Sequence, residues 1–157
     1  MTDEFNPKDK IGSTKIPLAI VSEIAVAEEA LALVEGGCKY GDYNYRGTAV
    51  RASIYMHAAR RHLACWFNGE ERDPVTGVHH LGSARACLGI LLDAQAIDKL
   101  VDDRPPSNPQ IKAILDGLEA KVKHLQQMHA DKSPKHWTIA DNGQSSPSLS
   151  SSRSSPG

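Results

Sequence analysis

The sequence predicts an all-α fold, a small bundle of about four main helices, and three observations carry that expectation. Apolar residues recur at helical spacing, about 3.6 residues, through four successive segments. Glycine, proline, Asn-Gly and Asp-Pro punctuate the chain between those segments. No stretch alternates apolar with polar residues as a half-buried strand does, and no internal repeat is visible.

Taken in order, Pro17 suits the first turn of a helix, where its missing N–H would have no partner. Leu18 to Val34 follow as an Ala/Leu/Glu-rich run that Gly36-Gly37 is expected to end. Residues 39–47, KYGDYNYRG, form a polar and aromatic stretch with glycines near both ends, which reads as a decorated loop. From Ala49 to Phe67, Met56, Ala59, Leu63 and Trp66 lie at helical spacing, and Asn68-Gly69 stops that helix. A third helix from about His79 to Leu100 is apolar nearly all round, the mark of a central, buried element. Asp102-Asp103-Arg104-Pro105-Pro106 breaks the pattern. The fourth helix carries Ile111, Ile114, Leu115, Leu118, Val122 and Leu125 as one stripe with charges opposite, and a second subunit is expected to complete such stripes. The boundaries expected are a polar, extended arm over 1–15, a helical domain over 16–130 and a Ser/Pro-rich tail over 131–157. The closing tract DNGQSSPSLSSSRSSPG holds too little apolar surface to offset its ordering entropy, so disorder is expected there.

The 157 residues carry 18 Lys and Arg against 19 Asp and Glu, a formal charge of −1. That balance argues against a protein that grips a long polyanion by bulk charge. No apolar run reaches the roughly 18–20 residues that span a bilayer, and MTDEFNPKDK lacks the apolar core of a secretory signal. Cys38, Cys65 and Cys87 are odd in number and far apart, with no C-x-x-C spacing. A reducing, cytoplasmic setting is therefore expected, with no membrane partner.

Beneath the neutral total the charges are segregated. Lys39, Arg46, Arg51, Arg60 and Arg61 face only Asp42 between positions 39 and 69, and Glu70-Glu71-Arg72-Asp73 follows at once. Glu70 and Asp73, three apart, share one side if they lie on a helical turn, and can then hold a hard cation with His79 or His80 beyond the following turn. Oxygen donors in majority favour Mg²⁺ or Mn²⁺ over zinc. An E-x-x-D on a solvated surface is the plainer reading. Asp93 is the one carboxylate between Leu81 and Ile97; it needs a metal, a proton or a cation, an arginine of the antiparallel helix being the simplest partner. Glu28 and Glu35, seven apart on one helical face, are placed to meet it. The cations suit a polyphosphate, Tyr40, Tyr43 and Tyr45 offer stacking faces, and Asn44 offers an amide to a base edge. His62, beside Arg60-Arg61, is the remaining histidine to watch. No P-loop, dinucleotide fingerprint, H-E-x-x-H or G-x-S-x-G occurs.

Five ordered blocks, NPKDKIGSTKIPL, KYGDYNYRG, RRHLACWFNGEERDP, GVHHLGSARACLGILLDAQ and DDRPP, together resemble the phage dATP/dGTP diphosphohydrolase family, related to the MazG-like all-α nucleotide pyrophosphohydrolases. The resemblance spans roughly residues 6–106. It implies hydrolysis of a purine deoxynucleoside triphosphate, dGTP before dATP, to the monophosphate and pyrophosphate, by a phage-encoded enzyme acting on the nucleotide pool of its host. Two or more Mg²⁺ or Mn²⁺ ions per site are implied, in a homodimer or homotetramer with no stable nucleic-acid complex. Residue by residue, Glu70 and Asp73 match an E-x-x-D unit and take the catalytic role. His80 and Asp93 fall in the G-x-x-H-L and I-L-x-D portions, and Glu35 or a second subunit stands in for an absent E-x-x-E, which gives Glu35, Glu70, Asp73, His80 and Asp93 as the metal ligands within this chain. Lys39, Tyr40, Asn44, Tyr45, Arg46 and Arg61 are the expected substrate contacts, with Tyr45 where the family often has Trp. The competing classes are a non-enzymatic helical interaction module and a nucleic-acid-binding accessory protein.

Overall fold

The structure, a computed structural model, describes residues 6–143. The outer parts of the expected arm and tail, 1–5 and 144–157, lie outside the described residues. The chain forms two compact units, Met1–Pro105 and Pro106–Gly157.

In the first unit the arm does not stay extended. Asn6 accepts the Lys8 N–H at 3.0 Å and opens α1, Pro7–Gly12, with proline at a position that needs no donor. Pro17 begins only a 3-10 turn, Leu18–Ile20, and α2 starts later, at Glu23–Tyr40, because the Ser22 hydroxyl caps Ala25 N–H. Gly36 and Gly37 do not end α2 as expected; neither adopts a positive φ, and termination waits for Gly41 at φ 90°. The expected loop then coils into α3, Asn44–Gly47. Val50–Arg51 is β1, followed by α4, Ala52–Phe67. The third long helix is α5, His80–Ala96, shorter than expected because Asp98 turns left-handed at φ 57°. Leu100–Val101 is β2, and it pairs with β1 in parallel, Val50 opposite Leu100, a strand contact too short to leave an alternating pattern.

Helix α5 packs on both α2 and α4, so it is central as its composition predicts. It is not buried all round: Leu92 is 70% exposed. The buried apolar side chains are small, namely Ala52, Ala59, Ala84, Ala86 and Ala94 with Val50 and Val78, so the helices approach closely. Gly82 marks the tightest point of α5 on α2, since a Cβ there would lie 2.7 Å from the carbonyl carbon of Glu28. In the second unit α6, Ile111–Met128, matches its expected stripe, and none of its residues is buried. A 3-10 turn at Ile139–Asp141 is closed by a Thr138/Asp141 capping box. No helix among the described residues is long and apolar enough to cross a membrane.

Candidate active site

A cavity of about 660 Å³ opens between α2, α4 and α5, with the segment 41–45 across one side. Each helix turns a polar or small-residue stripe toward it. Glu35 and Lys39 come from the last turns of α2, Tyr55, Ala58, Arg61 and His62 from α4, and Ser83, Ala86, Cys87 and Ile90 from α5. Of the expected substrate contacts, Lys39, Tyr40, Asn44, Tyr45 and Arg61 meet on this wall. Lys39 is ion-paired with Glu35 one turn before it, which raises its pKa above the usual lysine value. Burial keeps the Tyr55 hydroxyl and Cys87 thiol protonated by pushing both pKa values up.

Arg46 is not on that wall. It donates to both carboxylate oxygens of Asp93, at 2.7 and 3.1 Å, and lies 4.8 Å over the Tyr43 ring. Asp93 thus takes a cation from α3 rather than from α4, and its side chain is about 30% exposed instead of buried. Glu28 and Glu35 do not meet it: Glu28 pairs with Arg72 and Glu35 with Lys39. Tyr43, with φ 53°, stands in the left-handed region that side chains avoid, and the Arg46 guanidinium lies over its ring.

Glu70 and Asp73 do not share a helical turn. Residues 71–80 form a short hairpin, with Arg72 bridged to His79, Asp73 N–H on Val78 C=O and Gly77 at φ 72°. Asp73 Oδ1 accepts from the Val75 and Thr76 N–H groups, both at 2.9 Å, and from the Thr76 hydroxyl. Those backbone bonds, Thr76 first, hold its pKa below the ordinary aspartate value. Glu70 instead meets His80, the most buried polar side chain among the described residues at 3% exposure, with Oε1 2.7 Å from Nε2. The other ring nitrogen of His80, Nδ1, lies 3.0 Å from Nδ1 of His62. A chain of contacts therefore runs from the exposed Glu70 through His80 to His62 on the cavity wall. Burial depresses the His62 pKa, with His80 and Arg61 adding to the effect and Asp73 and Glu35 opposing it. Of the five expected metal ligands only Glu70 and His80 come together: Glu35 pairs with Lys39, Asp73 accepts from its own hairpin, and Asp93 pairs with Arg46.

Sequence reasoning singled out His62 but gave it no role, and passed over Cys65 and Tyr55. The signal was present: Tyr55, Ala58 and His62 recur at helical spacing within α4, a stripe that apolar periodicity alone ignores. Cys65, one turn beyond His62, joins Glu70 and His80 in a group whose ligand atoms all lie within 4.8 Å of one another.

A protein-family model described as dATP/dGTP diphosphohydrolase, N-terminal, matches residues 5–104, nearly the whole first unit and every residue of the cavity. Comparisons with curated proteins and with solved structures gave no match.

Proposed function

The chain belongs to the dATP/dGTP diphosphohydrolase, N-terminal, family, and from that premise we propose that its cavity hydrolyses a purine deoxynucleoside triphosphate between the α and β phosphates. Membership itself carries nucleoside triphosphate hydrolysis; the bond, the base and the metal are our reading. The observation behind it is the joint placement of Lys39, Arg61, three tyrosines and Asn44 around one cavity, with His62 on the wall as the inner end of the Glu70–His80–His62 chain. Its volume falls in the roughly 300–1,000 Å³ range of small-molecule sites.

Lys39 and Arg61 offset the charge of the triphosphate, with Arg61 positioned as the bidentate partner. Tyr40, Tyr43 and Tyr45 provide faces for the base, and Asn44 presents both donor and acceptor to its edge. Tyr55, protonated by burial, donates from its hydroxyl to a sugar or phosphate oxygen. Arg46 acts one step back, positioning Tyr43 under the control of Asp93. Glu70 and His80, in contact at 2.7 Å, offer an oxygen and a nitrogen to a divalent ion that prefers oxygen and tolerates nitrogen, Mg²⁺ or Mn²⁺, while Glu35 pairs with Lys39 and Asp73 accepts from its own hairpin. Such an ion, when bound, acidifies a coordinated water and neutralises phosphate charge. Water oxygen joins the α-phosphorus, the bond to the bridging oxygen breaks, and pyrophosphate departs. Buried surface is scarce along α2 and α6, both of which carry exposed apolar side chains, and this supports a homodimer or homotetramer as the working form.

Incubating the purified chain with each deoxynucleoside triphosphate and Mg²⁺ or Mn²⁺ tests the reading. Deoxynucleoside monophosphate and pyrophosphate are expected, from dGTP fastest and dATP next. Diphosphate plus phosphate, or nucleoside plus triphosphate, would overturn the bond assignment. Glu70→Gln should abolish divalent-dependent pyrophosphate release with its far-ultraviolet circular dichroism unchanged; full activity in that variant removes Glu70 from the site.

A further inference from the structure

We propose that Cys65, Glu70 and His80 form a thiolate-containing site for a borderline divalent ion, Zn²⁺ by preference, built from the last turn of α4, the turn after it and the first residue of α5. The proposal shares Glu70 and His80 with the function proposed above but adds a ligand that an oxygen-seeking ion would not select.

One atom from each of the three side chains lies within 4.8 Å of the other two. Tetrahedral bonds of about 2.0–2.3 Å put ligand atoms roughly 3.3–3.7 Å apart, so movements of about an ångström suffice to close the set. The frame around it is fixed. Glu70 N–H is bonded to Cys65 C=O at 3.0 Å, which ties two ligands through the backbone, and His80 N–H is bonded to Glu71 C=O at 3.1 Å. His80 is 3% exposed, so its ring has little freedom to turn.

The protons also balance. His80 Nε2, now sharing a proton with Glu70 Oε1, would bond the metal through its lone pair and leave its proton on Nδ1. An acceptor already waits there, His62 Nδ1 at 3.0 Å, the second contact that metal-bound histidines commonly keep. The Cys65 thiol loses its proton to solvent as sulfur bonds the ion. Sulfur, nitrogen and a single carboxylate together suit Zn²⁺ better than Mg²⁺. Three protein ligands leave the fourth position to water, and His62, itself on the cavity wall, touches this centre through His80.

The metal-free full-length chain, titrated with Zn²⁺ against a chromophoric chelator, should take up one ion. Replacing Zn²⁺ by Co²⁺ should give a thiolate-to-metal charge-transfer band in the near ultraviolet. Cys65→Ser should abolish the band and weaken Zn²⁺ binding by at least roughly ten-fold, whereas Cys38→Ser, on the exposed side of α2, should leave both intact. Metal-free melting curves establish that the variants fold, and Cys65→Ala replaces the serine variant if it does not. A chain with no thiolate band, or a Cys65→Ser variant that binds Zn²⁺ as tightly as the parent, overturns the proposal. Turnover of dGTP with Mg²⁺ by a chain that shows no band would sink this site alone. A band without any turnover would sink the proposed function alone.

Discussion

Replacing Gly82 with alanine adds one carbon at the closest approach of α5 to α2. That carbon would fall 2.7 Å from the carbonyl carbon of Glu28 and 3.1 Å from its Cβ. The obstacle is helix backbone, with the Glu28 carbonyl oxygen nearer still, so no rotamer change relieves it, and α2 must retreat by roughly 1 Å to restore ordinary contact. Overpacking of this kind costs about 1–3 kcal/mol, and alanine's better helix propensity returns up to about 1 kcal/mol. A net loss of about 1–2 kcal/mol corresponds to a melting temperature lower by about 4–16 °C in a unit of this size. At Gly36, inside α2, an added Cβ would meet nothing within 4 Å, so that position supplies the matched control. Gly36→Ala should raise the melting temperature by a few degrees through about 0.5–1 kcal/mol of propensity alone. Thermal unfolding followed by far-ultraviolet circular dichroism compares the two. A Gly82→Ala chain that melts at or above the parent would refute the close-packing argument. Because α2 carries Glu35 and Lys39 while α5 carries His80, the same substitution should also lower kcat/KM.

Two further outcomes follow from the ion pairs. Asp93→Asn releases Arg46 and with it the strained Tyr43, so KM for the triphosphate should rise several-fold, roughly the scale of one exposed bidentate pair, with kcat little changed; an unaltered KM would show that α3 needs no such support. Asp102 is held at about 2 by Arg104, and Asp103 is lowered by its bonds to the Ser53 hydroxyl and N–H. A lowered folded-state value means that the stabilisation is complete above the unfolded value, about 4. It is lost as pH falls through the folded values, down to about 2 for Asp102. Melting temperature plotted against pH should therefore drop between about pH 4 and 2, and less steeply in Asp103→Asn. An equal slope in the variant would contradict the assignment.

The helices were legible in the sequence because each carries apolar residues at helical spacing, whether or not the face they form is covered. The fourth helix is the clearest instance, its stripe of Ile111 to Leu125 falling wholly inside α6. Ends were less legible. A serine cap at Ser22 displaced the start that Pro17 implied, and Gly36-Gly37 stayed helical because nothing around them requires a positive φ. The strand pair was invisible, two residues being too few to alternate. Within the site, the basic and aromatic segment at 39–45 signalled its position through composition, and Glu70 with His80 through residue type and proximity. The partner of Asp93 was not readable, since Arg46 reaches it only because 44–47 coils into a turn of helix. Cys65 was overlooked for the same reason: its neighbours are set by the hairpin at 71–80, and no spacing rule encodes that fold-back.

The parallel contact of Val50–Arg51 with Leu100–Val101 has a consequence for where the molecule opens. Val50 N–H is bonded to Lys99 C=O at 2.9 Å, Val50 is 2% exposed, and Asp103 caps Ser53 just beyond. The α4–α5 hairpin is therefore a closed ring, joined at one end by the covalent hairpin and at the other by this clasp, and neither helix can fray without first breaking the clasp's contacts. Helix α2 has no strand clasp; exposed ion pairs, Glu28 with Arg72 and Glu29 with Arg85, tie it to the 71–80 hairpin and α5, and none of its residues is buried. Amide protons of α2 should accordingly exchange with solvent through smaller openings than those of α4 and α5. The cavity lies between α2 and this closed pair of helices.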